Sequence, residues 1–413
     1  MRGLSCRSCG APLTRKLLDL GSTPLANAFL PNDPAAIAAE RRFPLCAYVC
    51  EQCWLVQLDH DAPADAIFND EYAYLSSFSE SWVAHARRYA EAMTARLDLG
   101  PQSLVVEIAS NDGYLLQHFV SAGIPVLGVE PAGNAAALAE AKGVPSRVMF
   151  FDADSAAGLA AQGVAADLIA ANNVLAHVPD IRGFVRGFPR ILKPEGVVTF
   201  EFPHLLQMLT KLQFDTIYHE HYSYLSLLSV EAVLRDAGLR PFDVEHLPTH
   251  GGSLRLFACH AGAPMAETAA LEALRVAEKD LATLDAYAPF AAEVTAFAEG
   301  FRRFVADARS QGLRIAGYGA AAKGNTMLNY CGLGHDDIIA VADRNPQKQG
   351  RLLPGSHIPC VSPEALLDMR PDIVVILPWN LRDEIMAQMA AIRDYGGRFA
   401  VVEPGAAGGV AIV

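Results

Sequence analysis

Hydrophobic positions along this chain follow two rhythms that alternate from about residue 79 onward. In SESWVAHARRYAEAMTARLDL (79–99), Trp82, Ala86, Tyr89, Met93 and Leu97 return at three- and four-residue steps, which predicts a helix. Short apolar runs follow, at LVVEIAS (104–110), PVLGVEP (125–131), ADLIAANN (166–173) and GVVTFEFP (196–203), with helical segments between them. Such alternation predicts a doubly wound parallel sheet. A long helical region, 266–311, leads to a second series: LRIAGYG (313–319), DIIAVAD (337–343), DIVVILP (372–378) and GRFAVVEP (397–404). The first 75 residues show neither rhythm and read as loop-rich, with Pro24, Pro31 and Pro34 between cysteine pairs. The expected fold class is therefore α/β in three parts: a small N-terminal domain (1–75), a central Rossmann-like domain (76–262), and a helical linker with a second Rossmann-like domain (263–413).

Composition narrows the function. The 413 residues are 52% hydrophobic and 19% charged, as in a globular protein. No apolar run reaches the roughly 18–20 residues of a membrane span. MRGLSCRSCG has no apolar core of a secretory signal, so the expected location is the cytoplasm, with no membrane partner. A net charge of −13, from 33 basic and 46 acidic residues, argues against a nucleic-acid partner.

Five of the eight cysteines fall in the first 53 residues. Cys6-x-x-Cys9 and Cys50-x-x-Cys53 offer four thiolates, which suits a closed tetrahedral Zn²⁺ site of structural kind. Cys46 is a spare thiol that competes for the fourth place.

Two loops look like nucleotide sites. In VVEIASNDGYLL, Glu107, Ala109, Asn111 and Gly113 occupy the alternate positions of an S-adenosylmethionine (SAM) loop, acid-x-Gly-x-Gly-x-Gly, with two glycines replaced. SAM lacks a pyrophosphate, so the backbone needs no such close approach. Glu130, at the end of the next strand, is placed to grip ribose hydroxyls. In IAGYGAAAKGN, Gly317, Gly319 and Lys323 predict a phosphate cradle, with Asp343 and Lys348 beyond the following strand. That spacing also fits NAD, which keeps an oxidoreductase reading open.

The segment FDTIYHEHYSYLS (214–226) concentrates Tyr218, His219, Glu220, His221, Tyr222 and Tyr224. If it is extended, Tyr218, Glu220 and Tyr222 face one way and the two histidines the other. His177 lies just past a predicted strand end, where ligands of such sheets bind.

Taken together, the cysteine knuckles, EYAYLSSFS (71–79), EIASNDGYLL (107–116), NNVLAHVPD (172–180), YHEHYSYLS (218–226), HGGSLR (250–255) and GYGAAAKGN (317–325) resemble the sugar C-methyltransferase family of deoxysugar biosynthesis. That resemblance implies a zinc domain, a SAM domain and a domain holding a nucleotide-linked keto sugar. Its active-site groups fall on Tyr72, His177, Tyr218, Glu220 and His221, with His221 as base and Glu220 as its orienter. It further implies SAM contacts from Asn173 and substrate contacts from Tyr74, His250, Arg255, Gly319, Lys323, Asp343 and Lys348. The implied reaction is C-methylation beside the ketone of a 4-keto-deoxysugar, dTDP-linked and at C3, with C5, which also flanks the ketone, chemically accessible. An NAD-dependent oxidoreductase and a non-catalytic zinc-anchored binding protein are the competing readings. Oligomeric state is open, a monomer being compatible with a chain that carries all its own site residues.

Overall fold

The computed structural model describes residues 4–59, 75–403 and 409–413. Tyr72 and Tyr74 lie outside the described residues.

The central sheet has seven strands in the spatial order Leu239–Leu247, Ser253–His260, Leu192–Pro203, Ala166–Asn172, Val105–Ile108, Val126–Glu130, Ser146–Val148. Ser253–His260 runs antiparallel to both its neighbours, and the pairings from Leu192–Pro203 to the far edge are parallel. Val105–Ile108, Val126–Glu130, Ala166–Asn172 and Leu192–Pro203 match the apolar runs in the sequence. Ser146–Val148 and the final hairpin do not, because they alternate with polar residues and break the apolar pattern. The helix Glu80–Arg96 covers one face, burying Ala86, Tyr89, Ala90 and Met93. Ser79 caps it, its hydroxyl accepting from Trp82 N.

A second sheet of six strands follows: Cys360–Val361, Val341–Ala342, Ile315–Tyr318, Ile373–Ile376, Arg398–Val402 and Val410–Ile412, parallel except at the last. Of the predicted run 337–343 only Val341–Ala342 forms strand.

Two expectations need correction. The region 266–311 is two helices, Ala269–Ala277 and Phe290–Ser310, with short 3₁₀ turns between them. The break falls where Glu278 turns inward: its carboxylate accepts from Leu227 N at 2.9 Å, Leu228 N at 2.8 Å and His204 Nε2 at 2.7 Å. It thereby caps the helix Leu227–Asp236 from outside. The N-terminal part, read as loop-rich, contains an antiparallel sheet of Arg15–Thr23, Phe43–Val49 and Val56–Leu58. A fourth strand, Ser223–Tyr224, joins it from the histidine-rich segment.

The N-terminal module is wedged between the two larger sheets. Leu17, Leu18, Leu45, Val49 and Val56 share a core with Phe290–Ser310 and the six-stranded sheet. Cys6, Tyr48, Cys50 and Leu55 pack with the central sheet. Leu30–Pro31 also pairs with Arg351–Leu352.

Glu278→Ala removes three hydrogen bonds from a site only 2% exposed and leaves His204 without its partner. The expected loss is about 3 kcal/mol, read as a lower urea midpoint at unchanged slope.

Candidate active site

The sulfurs of Cys6, Cys9, Cys50 and Cys53 all lie within 4.8 Å of one another. The two knuckles are built alike. Gly10 N donates to Cys6 O, and Trp54 N to Cys50 O, each at 2.9 Å. The residue after each pair has a left-handed backbone, Gly10 at φ +77° and Trp54 at φ +59°. This turn points both thiols of a pair at one centre, and Gln57 Nε2 donates to Cys6 Sγ at 3.1 Å. Cys46 stands outside the cluster; burial pushes its thiol up to about 11. Four convergent sulfurs with no oxygen ligand and no open place fit a structural Zn²⁺.

At the central sheet, Ala109, Asn111 and Gly113 all have positive φ, at +59°, +48° and +75°. The loop thus keeps a glycine-type backbone with two non-glycine residues, and stored strain of this kind clusters at functional sites. Gly113 is needed for packing as well, since a Cβ there would sit 3.1 Å from that of Ala139. Glu130 accepts from Asn111 N and Ala132 N, both at 2.9 Å, which fixes the loop. Asn111 Oδ1 accepts from Ser76 N at 2.9 Å, and Lys142 Nζ bridges Ser77 Oγ and Asp112 O at 2.7 Å each. Burial pushes the fully enclosed Glu107 carboxyl well above the usual carboxylate range, against a hydrogen bond with Tyr114. Asn173, also left-handed at φ +52°, has a buried Oδ1 without a partner. A strained polar loop, an acid on the next strand and an orphaned amide oxygen suit the amino-acid and ribose parts of SAM.

The histidine-rich segment is not extended at its start, so the alternation expected there fails. Residues 218–220 form a turn in which His221 N donates to Tyr218 O at 2.9 Å. Tyr218 and His221 consequently meet: the phenol oxygen lies 2.8 Å from His221 Nε2 and the ring centroids are 4.0 Å apart. His221 Nδ1 is 2.8 Å from Thr216 O, a pure acceptor, so Nδ1 carries the proton and Nε2 holds the lone pair. His177 packs edge-on against His221 with centroids 4.7 Å apart. Burial, with His177, Lys323 and His250 nearby, holds the His221 pKa well below the ordinary imidazole value. Burial likewise brings His177 and His250 down to about 4.

Glu220 does not orient His221, a correction to the sequence reading. The turn directs its carboxylate to Asn27, whose Nδ2 donates at 2.6 Å from the N-terminal module. Burial raises the Glu220 pKa despite that bond. His219 points elsewhere, to Pro44 O at 3.0 Å.

The remaining predicted residues divide. Arg255 is only 5% exposed and engages Glu201 at 2.9 Å and Glu245 at 2.7 Å, with its guanidinium over the Tyr89 ring. Those internal pairs replace the substrate contact expected of it. Burial alone would raise the Glu201 carboxyl, but His85 and Arg255 hold it below the usual range. Asp343 accepts from Ala320 N at 2.9 Å, and Lys348 Nζ donates to Ala320 O at 2.8 Å, so both brace the second glycine loop. Gly319 is required there: at φ +91°, a Cβ would lie 2.4 Å from Pro378 Cδ. Lys323 and His250 meet at the seam between the two large sheets, Lys323 Nζ donating to His250 O at 3.3 Å. Asn27, Asp215, Thr216, His85, Glu201 and Trp379 went unnoticed in the sequence; each is a single residue in an ordinary context.

Three family models tile the chain. A zinc binding domain matches residues 6–68, a methyltransferase domain 82–244, and a C-methyltransferase C-terminal domain 248–404. The C-methyltransferase NovU of Streptomyces niveus is 37% identical over 401 residues, covering 97% of this chain and 95% of its own. Among solved structures, the SAH-bound magnesium protoporphyrin IX methyltransferase of Synechocystis aligns at 18% identity and TM-score 0.35, over 43% of this chain and 83% of its own. A 1,6-didemethyltoxoflavin-N1-methyltransferase of Burkholderia thailandensis aligns at 18% identity and TM-score 0.35, over 51% and 96%. Among the described residues no helix is long and apolar enough to cross a membrane.

Because Cys46 lies apart from the four convergent sulfurs, Cys46→Ser is expected to retain about one equivalent of zinc, whereas Cys6→Ser loses metal and stability together. Elemental analysis with thermal unfolding checks both.

Proposed function

The chain belongs to the C-methyltransferase family and is SAM-dependent, and from that premise we propose that it methylates a nucleotide-linked 4-keto-deoxysugar, dTDP-linked, at C3. The observation that carries this reading is the hydrogen bond between half-buried Tyr218 and buried His221, whose tautomer is set by Thr216 O. A carbon beside a ketone becomes a nucleophile only after losing a proton. That task needs a neutral base shielded from water, and a buried imidazole presenting Nε2 supplies it.

SAM supplies an electrophilic methyl group on a sulfonium. His221 Nε2 takes the proton from the substrate carbon, and the C–H electron pair moves into the enolate, placing negative charge on the carbonyl oxygen. Tyr218, released from His221 as the substrate enters, turns its hydroxyl to that oxygen. His177 lines the same wall. Glu107, Ala109, Asn111, Gly113, Glu130 and Asn173 hold the methyl donor at the strand ends, and His250 stands beside it. Gly319 and its braces Asp343 and Lys348 form the side of the site that receives the nucleotide. Tyr72 and Tyr74 belong to the resemblance. Much of the acceleration comes from holding two molecules in register.

The test is incubation with SAM and a panel of 4-keto sugar nucleotides, read by mass and NMR. Transfer to oxygen or nitrogen, or to no keto sugar, would overturn the substrate reading. His221→Asn is expected to lower turnover by about 10²–10⁴-fold and to abolish deuterium exchange at the sugar α-carbon, with SAM binding kept. Since His221 is held well below the ordinary imidazole pKa, it stays deprotonated on mild acidification. The expected kcat/KM is therefore flat from pH 8 to about 6 and falls only below that.

A further inference from the structure

Lys323 sits in the first turn of the helix Ala322–Cys331, directly after the second glycine loop. From that position a lysine would ordinarily reach a phosphate. Its ammonium goes elsewhere. It crosses the seam between the two large sheets, donates to His250 O at 3.3 Å and lies 5.2 Å from the centre of the Trp379 ring. Trp379 Nε1 in turn donates to Asp215 Oδ2 at 2.9 Å, and Asp215 Oδ1, fully buried, has no partner. The seam is tight: a Cβ on Gly251 would lie 2.3 Å from Trp379 Cη2. Lys323 is thereby held beside the histidines of the chamber and its charge acts on His221 and His250.

We propose that Lys323 is the cation of the methyl-transfer chamber, stabilising the negative charge that develops on the substrate carbonyl oxygen instead of cradling the diphosphate. This rests on the keto-sugar reading above. The groups facing His221 are His177, His250, Tyr218, Tyr224 and Lys323, with the carboxyls of Glu220 and Asp215 on its own segment. His221 becomes an imidazolium beside the carbon that lost the proton, but the neutral rings of His177, His250, Tyr218 and Tyr224 supply no charge to offset the one that collects on the carbonyl oxygen. An ammonium can offset it, because charge placed in advance in a water-poor site costs no reorganisation as the reaction proceeds. Burial lowers the Lys323 pKa, and the Asp215 charge works against that loss. When the C–H pair collapses onto oxygen, the lysine gains a counter-ion; when the carbon then takes the methyl group, the carbonyl is restored and the lysine is unchanged.

Lys323→Met keeps the apolar stem against Trp379 and removes the charge; Lys323→Arg keeps the charge. Both are assayed for SAM binding by calorimetry, for turnover against pH, and for exchange of the α-protons of dTDP-4-keto-6-deoxyglucose in D₂O. The expected result for Lys323→Met is a loss of about 10²–10³-fold in kcat and in exchange rate. KM for the sugar nucleotide should move by less than about threefold. The acid limb of the pH profile should shift upward, because His221 without a nearby cation protonates more readily. Lys323→Arg should restore the limb and at least about a tenth of kcat. A raised KM with kcat and limb unmoved would assign Lys323 to the phosphate, and an arginine variant as inactive as the methionine one would assign it to packing; either overturns the proposal. Wild-type enzyme that exchanges no keto sugar defeats the substrate reading itself. Exchange persisting in Lys323→Met defeats only the role of this lysine.

Discussion

The constraint on which the rest depends is the burial of residues 213–226, a polar segment placed where three sheets meet. Asp215, Thr216, His219, Glu220, His221 and Ser223 are each at most 9% exposed. A buried polar group left unpaired costs about 1–3 kcal/mol, so the segment is stable only when its surroundings supply partners. They come from every side. The N-terminal module provides Asn27 for Glu220 and Pro44 O for His219, and Leu58 N donates to Tyr222 O. The C-terminal part provides Trp379, in the turn after Ile373–Ile376, for Asp215. The central domain provides Leu205 N for Leu225 O. Removing any one body exposes or orphans part of this segment, so the candidate site exists only in the assembled chain.

That dependence explains what was legible beforehand. The apolar runs 104–110, 125–131, 166–173 and 372–378 announce their strands because parallel strands buried on both faces are continuous in hydrophobicity. Cys6, Cys9, Cys50 and Cys53 are legible because metal geometry dictates their spacing. The YHEHY cluster is conspicuous by composition, yet its conformation was not, because periodicity says nothing about a turn enforced by tertiary partners. Hence Tyr218 and His221, expected on opposite faces, are hydrogen-bonded, and Glu220 serves Asn27. Asn27 lies 193 positions away from Glu220, and Trp379 lies 164 from Asp215. Contacts of that separation leave no local pattern. The N-terminal sheet was missed for a related reason: its strands bury residues against two different cores, which blurs the period of two.

The electrostatics of the chamber follow from the same burial. Desolvation keeps His177, His221 and His250 neutral, and a proton on any one of them would oppose a proton on the next. The same desolvation raises the Glu220 and Asp215 pKa values. A base that is uncharged at rest loses no hydration when substrate arrives. In the reaction we propose, the protonated form of His221 is disfavoured by the surroundings, which makes the proton transfer depend on prompt consumption of the enolate. A carbanion acceptor and a sulfonium donor held together meet that need.

A closed metal site ordinarily has no bearing on chemistry elsewhere, but here one side chain links the two. Gln57 Nε2 donates to Cys6 Sγ at 3.1 Å, and its Oε1 accepts from Arg7 N at 2.8 Å, so its amide is spent on the first knuckle. Its backbone lies in Val56–Leu58, opposite Ser223 in the strand pairing that carries the histidine-rich segment. Ser223 is two residues from His221. Loss of the metal would separate four thiolates that repel one another, release Gln57 and loosen the strand against which Ser223 and Tyr224 are registered. The Tyr218–His221 hydrogen bond, at 2.8 Å, tolerates little of that displacement before its geometry fails. The four-thiol cluster is thereby tied, through one side chain and one strand pairing, to the segment that carries His221.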